Sequence, residues 1–220
     1  AGLNYMPKVF IIEADYMNAF ASGYSEKSAM VAITRGLIAK LTRAELQAVM
    51  AHELSHIRHH DIKLTLTVSV LSNLMLMVID VLFYSVLFGN NNRRGNNKQN
   101  NSMAILVVVI MVLRYALPLI TVLLSLFLSR TREYMADSGA VELMRDNSPL
   151  ASALSKITYD HRDNADTYTQ QYGKTSHEDV RRASYIYDPT KLNPIKSLNS
   201  KFSTHPSLEQ RLKAIGFNKK

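Results

Sequence analysis

The amino-acid sequence predicts an α+β protein, mainly helical, with a small N-terminal β-meander and a transmembrane helical hairpin. Three observations carry that expectation. Two long apolar runs, Leu64–Phe88 and Met103–Leu128, hold one formal charge each, Asp80 and Arg114. A capping box, Thr42-Arg-Ala-Glu45, opens a strongly periodic helix just before the first run. Three short β-prone stretches precede that helix.

The 220 residues allow one domain or one domain with an appendage. A hydrophobic fraction of 47% excludes disorder of the whole chain. The chain has no Cys, which excludes disulfides, thiolate metal sites and a cysteine nucleophile. Any metal must sit on His, Asp or Glu. The net charge of +8 comes from dispersed residues without a nucleic-acid reader motif, so attraction to anionic lipid accounts for it and no nucleic-acid partner is expected.

Taken in order, Lys8–Glu13, Met17–Gly23 and Ala29–Thr34 are strand candidates spaced as an antiparallel meander. The capped helix then carries Leu46, Val49, Met50, Leu54 and Ile57 at helical spacing as far as about His60. Residues 1–63 form the first part of the expected soluble domain. Each apolar run exceeds the ~20 residues that span a bilayer. The polar, low-complexity stretch 89–102 joins them within a hairpin over 64–128. Asp80 and Arg114 fall at similar depth in that hairpin, which suggests an ion pair, since either charge alone is costly in lipid. Residues 129–220 complete the domain. They comprise an amphipathic helix over 129–150, a short helix at Ala151–Ile157, a loop-like polar stretch over 160–200, and a terminal helix entered at Pro206 and stopped at Gly216.

The chemistry concentrates in His52-Glu53-Leu54-Ser55-His56. Two His at i and i+4 share a helix face, so both imidazoles reach one zinc ion, and Glu53 projects beside them as a proton acceptor. His59 and His60 lie ~10 and ~12 Å along the axis from His52, too far to share that ion. The third ligand is best sought at Glu133. It follows the second apolar run as the His motif precedes the first, and a hairpin returns both to one side. Asp137 shares its helix face and can orient a ligand His. On sequence alone, His205 reads as a capping residue at the start of the last helix and Arg211 as a surface charge.

With these residues assembled, the chain resembles the HtpX family of integral-membrane zinc proteases, relatives of the CAAX prenyl proteases. The resemblance runs through PKVFIIEADYMNAFASG, ITRGL, LTRAELQAVMAHELSHIRHHD, the two apolar runs, SRTREYMADSGA and FSTHPSLEQRLKAI. It implies a gluzincin-type metalloprotease domain with one zinc per chain. His52, His56 and Glu133 would be ligands, Glu53 the general base and Asp137 the partner of a ligand His. It also implies that Asn18 contacts the backbone of an extended peptide on an edge strand, and that His205 and Arg211 stabilise the oxyanion. Relatives carry two further membrane helices before the first strand, so the chain reads as a piece of a longer protein.

The expected activity is zinc-dependent endoproteolysis of misfolded or damaged membrane proteins at the cytoplasmic face of a bacterial inner membrane. Five Arg/Lys flank the hairpin on the catalytic side (Arg58, Lys63, Arg130, Arg132, Arg145) and three lie in the loop (Arg93, Arg94, Lys98), a small bias toward that orientation. A CAAX-type prenyl-protein protease ranks lower because two apolar runs do not build a multi-helix chamber. A catalytically idle membrane adaptor also ranks lower, because every required role has a residue.

Overall fold

The structure, a computed structural model, describes residues 1–88, 97–174, 185–187 and 205–217. It is mainly helical, with one three-stranded sheet near the N-terminus and two helices long and apolar enough to cross a membrane. Two compact units divide it. One joins Ala1–Lys63 to Leu128–Lys220; the other is Leu64–Phe127.

In the first unit, strands β1 (Lys8–Ile12), β2 (Ala19–Ser22) and β3 (Met30–Thr34) occupy the expected stretches. Their order corrects the expected meander. β3 is central, parallel to β1 and antiparallel to β2. The reason lies in burial. β3, MVAIT, is buried along most of its length and takes the inner place, while β1 is exposed almost throughout. The β1–β2 connection crosses at the start of helix α1 (Arg35–Lys40), where the Gly36 N–H donates to Ala14 O at 2.9 Å. A Cβ on Gly36 would collide with the Asp15 backbone, so the crossing needs glycine there. The topology leaves β2 at a sheet edge, packed beside helix α2 (Arg43–Arg58).

Helix α2 starts at the expected box. Thr42 Oγ1 accepts from the Glu45 N–H at 3.4 Å, and Glu45 Oε2 accepts from the Thr42 N–H at 2.8 Å. The buried Glu45 also receives Lys156 Nζ at 2.8 Å and Ser152 Oγ at 2.6 Å from helix α5 (Ser148–Asp163), which ties the cap to the packing of α2 on α5. Val49, Leu150, Leu154 and Ile157 fill the core there. α2 stops at Arg58. His60 then adopts φ 55°, a left-handed conformation uncommon outside glycine, and the chain turns into helix α3 (Asp61–Phe88).

Helix α4 is a single element, Asn97–Met144. The second apolar run and the amphipathic stretch after it are therefore continuous. This replaces the expected separate helix over 129–150, which ends instead at Met144, before Arg145 with φ 54°. The short helix expected at Ala151–Ile157 is the middle of α5. Part of the expected loop over 160–200 is helix too: α5 runs to Asp163, and α6 spans Ala165–Lys174. Tyr168 and Tyr172, one turn apart, bury one face of α6 against Tyr16, in a stretch whose apolar periodicity rests on tyrosines. Residues 175–184 and 188–200 of that stretch lie outside the described residues, as do 89–96 of the expected hairpin loop, whose remainder begins α4. The last helix, α7, spans Leu208–Ala214.

In the second unit most apolar side chains of α3 and α4 are exposed. Arg114 Nε stands 3.2 Å from Asp80 Oδ1, the ion pair expected from depth alone. The Arg114 guanidinium also lies 4.5 Å from the Phe83 ring centroid. That contact suits a cation among apolar groups.

Candidate metal centre

α2 presents His52 and His56 one turn apart, with their Nε2 atoms 3.2 Å from each other. α4 brings Glu133 to them: Oε2 is 3.9 Å from His52 Nε2, and Oε1 is 3.7 Å from His56 Nε2. Two donors ~2.0–2.1 Å from a zinc ion at the tetrahedral angle stand roughly 3.3–3.4 Å apart, so this set fits one ion. The helices approach closely at Gly139, where an added Cβ would stand 2.5 Å from Ser55 Oγ.

Each imidazole is oriented from behind. His52 Nδ1 is 3.0 Å from Asp137 Oδ1, and His56 Nδ1 is 2.6 Å from Asp61 Oδ2. Both Nδ1 atoms thus have a carboxylate to donate to, and both Nε2 lone pairs face the Glu133 carboxylate. Arg211 clamps Asp137 in turn, Nε to Oδ2 at 2.8 Å and Nη2 to Oδ1 at 2.6 Å. Its Nη1 lies 3.5 Å from Glu133 Oε2 and donates to Ile186 O at 3.3 Å. His205 Nδ1 is 3.2 Å from the same Glu133 oxygen.

The electrostatics follow from burial and charge. Burial pushes Glu53 up to about 7, aided by the neighbouring Glu133 and opposed by His56 and Arg211. Among the described residues, neither Glu53 oxygen completes a hydrogen bond, although the Ala21 backbone N–H lies near enough to favour its ionised form slightly. Burial would also raise Glu133, yet His205, Arg211 and His56 hold it well below the usual carboxylate range. Asp137 is lowered against burial by Arg211 and His52. His52 is lowered by burial, whereas Asp61, Glu133 and Glu53 overcome burial and raise His56 to about 8. The cluster is a dense alternation of buried acids and bases.

Of the residues singled out in the sequence, His52, Glu53, His56, Glu133, Asp137, His205 and Arg211 converge here. Two readings made from sequence alone are corrected. Arg211 is 4% exposed rather than a surface charge, because Asp137 and Glu133 compensate its burial. The cap of α7 is Ser207, which accepts from the Gln210 N–H at 3.2 Å, while the ring of His205 turns to Glu133. Asn18 is also buried, on the edge of the sheet. Its Oδ1 accepts from the N–H groups of Ala19 and Tyr187 at 3.1 and 3.2 Å. Its Nδ2 donates to Tyr172 Oη at 2.8 Å and Tyr187 O at 3.1 Å. The Ile186 N–H donates to Ala19 O at 2.9 Å. The chain's own Tyr185–Tyr187 thus lies along the β2 edge. Sequence reasoning missed Asp61 altogether. It lies beyond the end of α2, and helical periodicity carries no signal across the His59–His60 turn.

The comparisons with known proteins agree with this architecture. The model of "Peptidase family M48" matches residues 1–217. A "Protease HtpX homolog" of Helicobacter acinonychis is 43% identical over 217 residues, covering 98% of this chain and 62% of its own length. A protein of the same name from Helicobacter pylori (strain Shi470) is 44% identical over the same shares of each chain. One from Streptococcus agalactiae is 39% identical, over 96% of this chain and 67% of its own. The chain thus spans under two thirds of the Helicobacter relatives it matches. The crystal structure of Ste24p from S. mikatae superposes with a TM-score of 0.54 at 21% identity, covering 96% of this chain and 45% of that one, a similarity of fold. On the family match over nearly its whole length, the chain belongs to peptidase family M48.

Proposed function

We propose that this chain is the catalytic part of a zinc-dependent, membrane-embedded endopeptidase. One observation carries the reading: three ligand atoms, on His52, His56 and Glu133, lie within 4.8 Å of one another, with the buried carboxylate of Glu53 beside them. A bound zinc ion supplies Lewis acidity, polarising a scissile carbonyl and acidifying a water molecule.

The chain's own residues do the rest. Glu53, raised by burial, takes a proton near neutral pH and returns it to the leaving amine, and the cation's charge tunes it downward. Arg211 and His205 supply donors toward the oxyanion of the tetrahedral intermediate. The substrate lies in extended form against the β2 edge. There Asn18 exchanges its contacts with the backbone of the half-buried Tyr187 for those of the peptide.

α3 and α4 cross the bilayer, with the site on the side richer in Arg and Lys, the cytoplasmic side of a bacterial inner membrane. Misfolded or damaged membrane proteins are the substrates this placement favours, and the names of the relatives support the protease reading.

The test is casein cleavage by the detergent-purified, zinc-loaded chain beside Glu53→Gln. Cleavage that Glu53→Gln abolishes, and that chelation removes and zinc restores, is the expected result. Equal cleavage by Glu53→Gln would remove Glu53 from its role. Stoichiometric zinc binding without cleavage would leave a metal site but argue for an idle adaptor.

A further inference from the structure

We infer that Asp61 is a positioning residue for the metal centre, and that Arg132 completes the clamp by holding Asp61 from the helix that carries Glu133. The inference rests on the reading of His52, His56 and Glu133 as metal ligands.

His56 and Asp61 are separated by the turn at His59–His60, where His60 takes the left-handed conformation. That turn brings the first residue of α3 back beneath the last turn of α2. The result is a 2.6 Å contact between His56 Nδ1 and Asp61 Oδ2, short for a nitrogen–oxygen pair and typical of a charge-assisted bond. Asp61 is 5% exposed, so little water competes for the carboxylate. An imidazole on a helix turns about two side-chain torsions. With Nδ1 fixed to Asp61, the ring presents Nε2 in one direction only, toward His52 Nε2 and Glu133.

Arg132 supplies the second half. Its Nη1 donates to the Asp61 backbone carbonyl at 3.0 Å, and its neighbour in sequence is Glu133. One chain of contacts therefore runs from His56 through Asp61 and Arg132 to Glu133, linking the third ligand to the second. His52 has an analogous chain through Asp137 to Arg211. Each ligand His is thus braced by a carboxylate, and each of those carboxylate residues by an arginine. A simpler role exists for Asp61, since an acidic residue in the first turn of a helix stabilises that helix. That role predicts a change in stability without a change in metal affinity.

The experiment is competition for zinc between a chromophoric chelator and the detergent-purified chain, with Asp61→Ala, Asp61→Asn and Arg132→Gln compared. The d–d spectrum of the cobalt-substituted proteins and the unfolding temperature of the metal-free proteins are recorded beside it. Asp61→Ala should weaken zinc about 10- to 100-fold and alter the cobalt spectrum while the metal-free protein stays folded. Asp61→Asn, whose amide oxygen still accepts from Nδ1–H, should fall between it and the wild type. It also carries the test if the alanine variant does not fold. Arg132→Gln should shift affinity in the same direction by a smaller factor. Wild-type affinity in both Asp61 variants, with only the unfolding temperature lowered, would overturn the inference in favour of the helix-terminal role. Failure of the wild-type chain itself to bind zinc would instead overturn the underlying reading of the ligands.

Discussion

Arg211 and Asp137 meet in a two-pronged ion pair with almost no solvent access, 2.8 and 2.6 Å long, although 74 residues separate them in sequence. Asp137 stands on α4 behind His52 and Arg211 on α7, so the pair ties α7 to the site. Removing one partner strands the other as a buried, uncompensated charge, which costs about 3–5 kcal/mol. Arg211→Met should therefore lower the unfolding temperature sharply in detergent. Arg211→Met with Asp137→Leu should recover much of that stability but no proteolysis, because His52 loses its orienting carboxylate. Equal stability of Arg211→Met and the wild type would show that the pair is not needed for folding.

The packing of α4 on α2 depends on a missing side chain. A methyl group at Gly139 would press on Ser55, whose Oγ donates to Ala51 O at 2.9 Å inside α2, the helix that carries His52 and His56. Overpacking of this kind costs about 1–3 kcal/mol. Gly139→Ala should destabilise the protein and weaken metal binding together, and Ser55→Gly in the same chain should reverse both. Thermal unfolding and zinc titration of the three variants test this; no reversal would place the strain elsewhere.

Two buried groups away from the metal centre make stability depend on pH. His161 is lowered by burial to about 4, donating from Nδ1 to Ile157 O and lying 3.0 Å from Tyr172 Oη through Nε2. Its folded value lies below the ordinary 6.5, so the unfolded chain binds the extra proton. Its contribution is fully present above about pH 6.5 and is lost as pH falls toward 4. Glu45 is lowered to about 2, against burial, by Lys156, Ser152 and Thr42. Its contribution is present above the ordinary 4.5 and lost as pH falls toward 2. His161 is worth on the order of 3 kcal/mol, and Glu45 on the order of 2 kcal/mol once screening of the half-exposed Lys156 is allowed for. Unfolding midpoints measured from pH 8 to 2 should fall in both windows. His161→Gln should flatten the upper window and Glu45→Gln the lower; unchanged slopes would refute the assignments.

In the apolar unit, Asp80→Lys should impair membrane accumulation and thermal stability by opposing Arg114 across 3.2 Å. Asp80→Lys with Arg114→Asp should restore both, because the reversed pair keeps its neutrality among the apolar side chains. Absence of rescue in the double variant would count against pairing as the role of these charges.

Local rules in the sequence determined the elements that depend on neighbours along the chain. The Thr42–Glu45 box set the start of α2, and 3.6-residue periodicity placed His52 and His56 on one face. The length of the two apolar runs marked α3 and α4, and their similar depth paired Asp80 with Arg114. Glu133 was reachable because it brackets the apolar runs opposite the His motif. Only the tertiary structure decided the rest. Strand order depends on which strand the core buries, and MVAIT took the centre although the spacing suited a meander. α6 was hidden because its buried face is made of tyrosines. Asp61 reached His56 only through a left-handed turn, and Arg211 left the surface only because two acids await it 74 and 78 positions earlier. Charge burial is settled by partners distant in sequence, and no local periodicity encodes them.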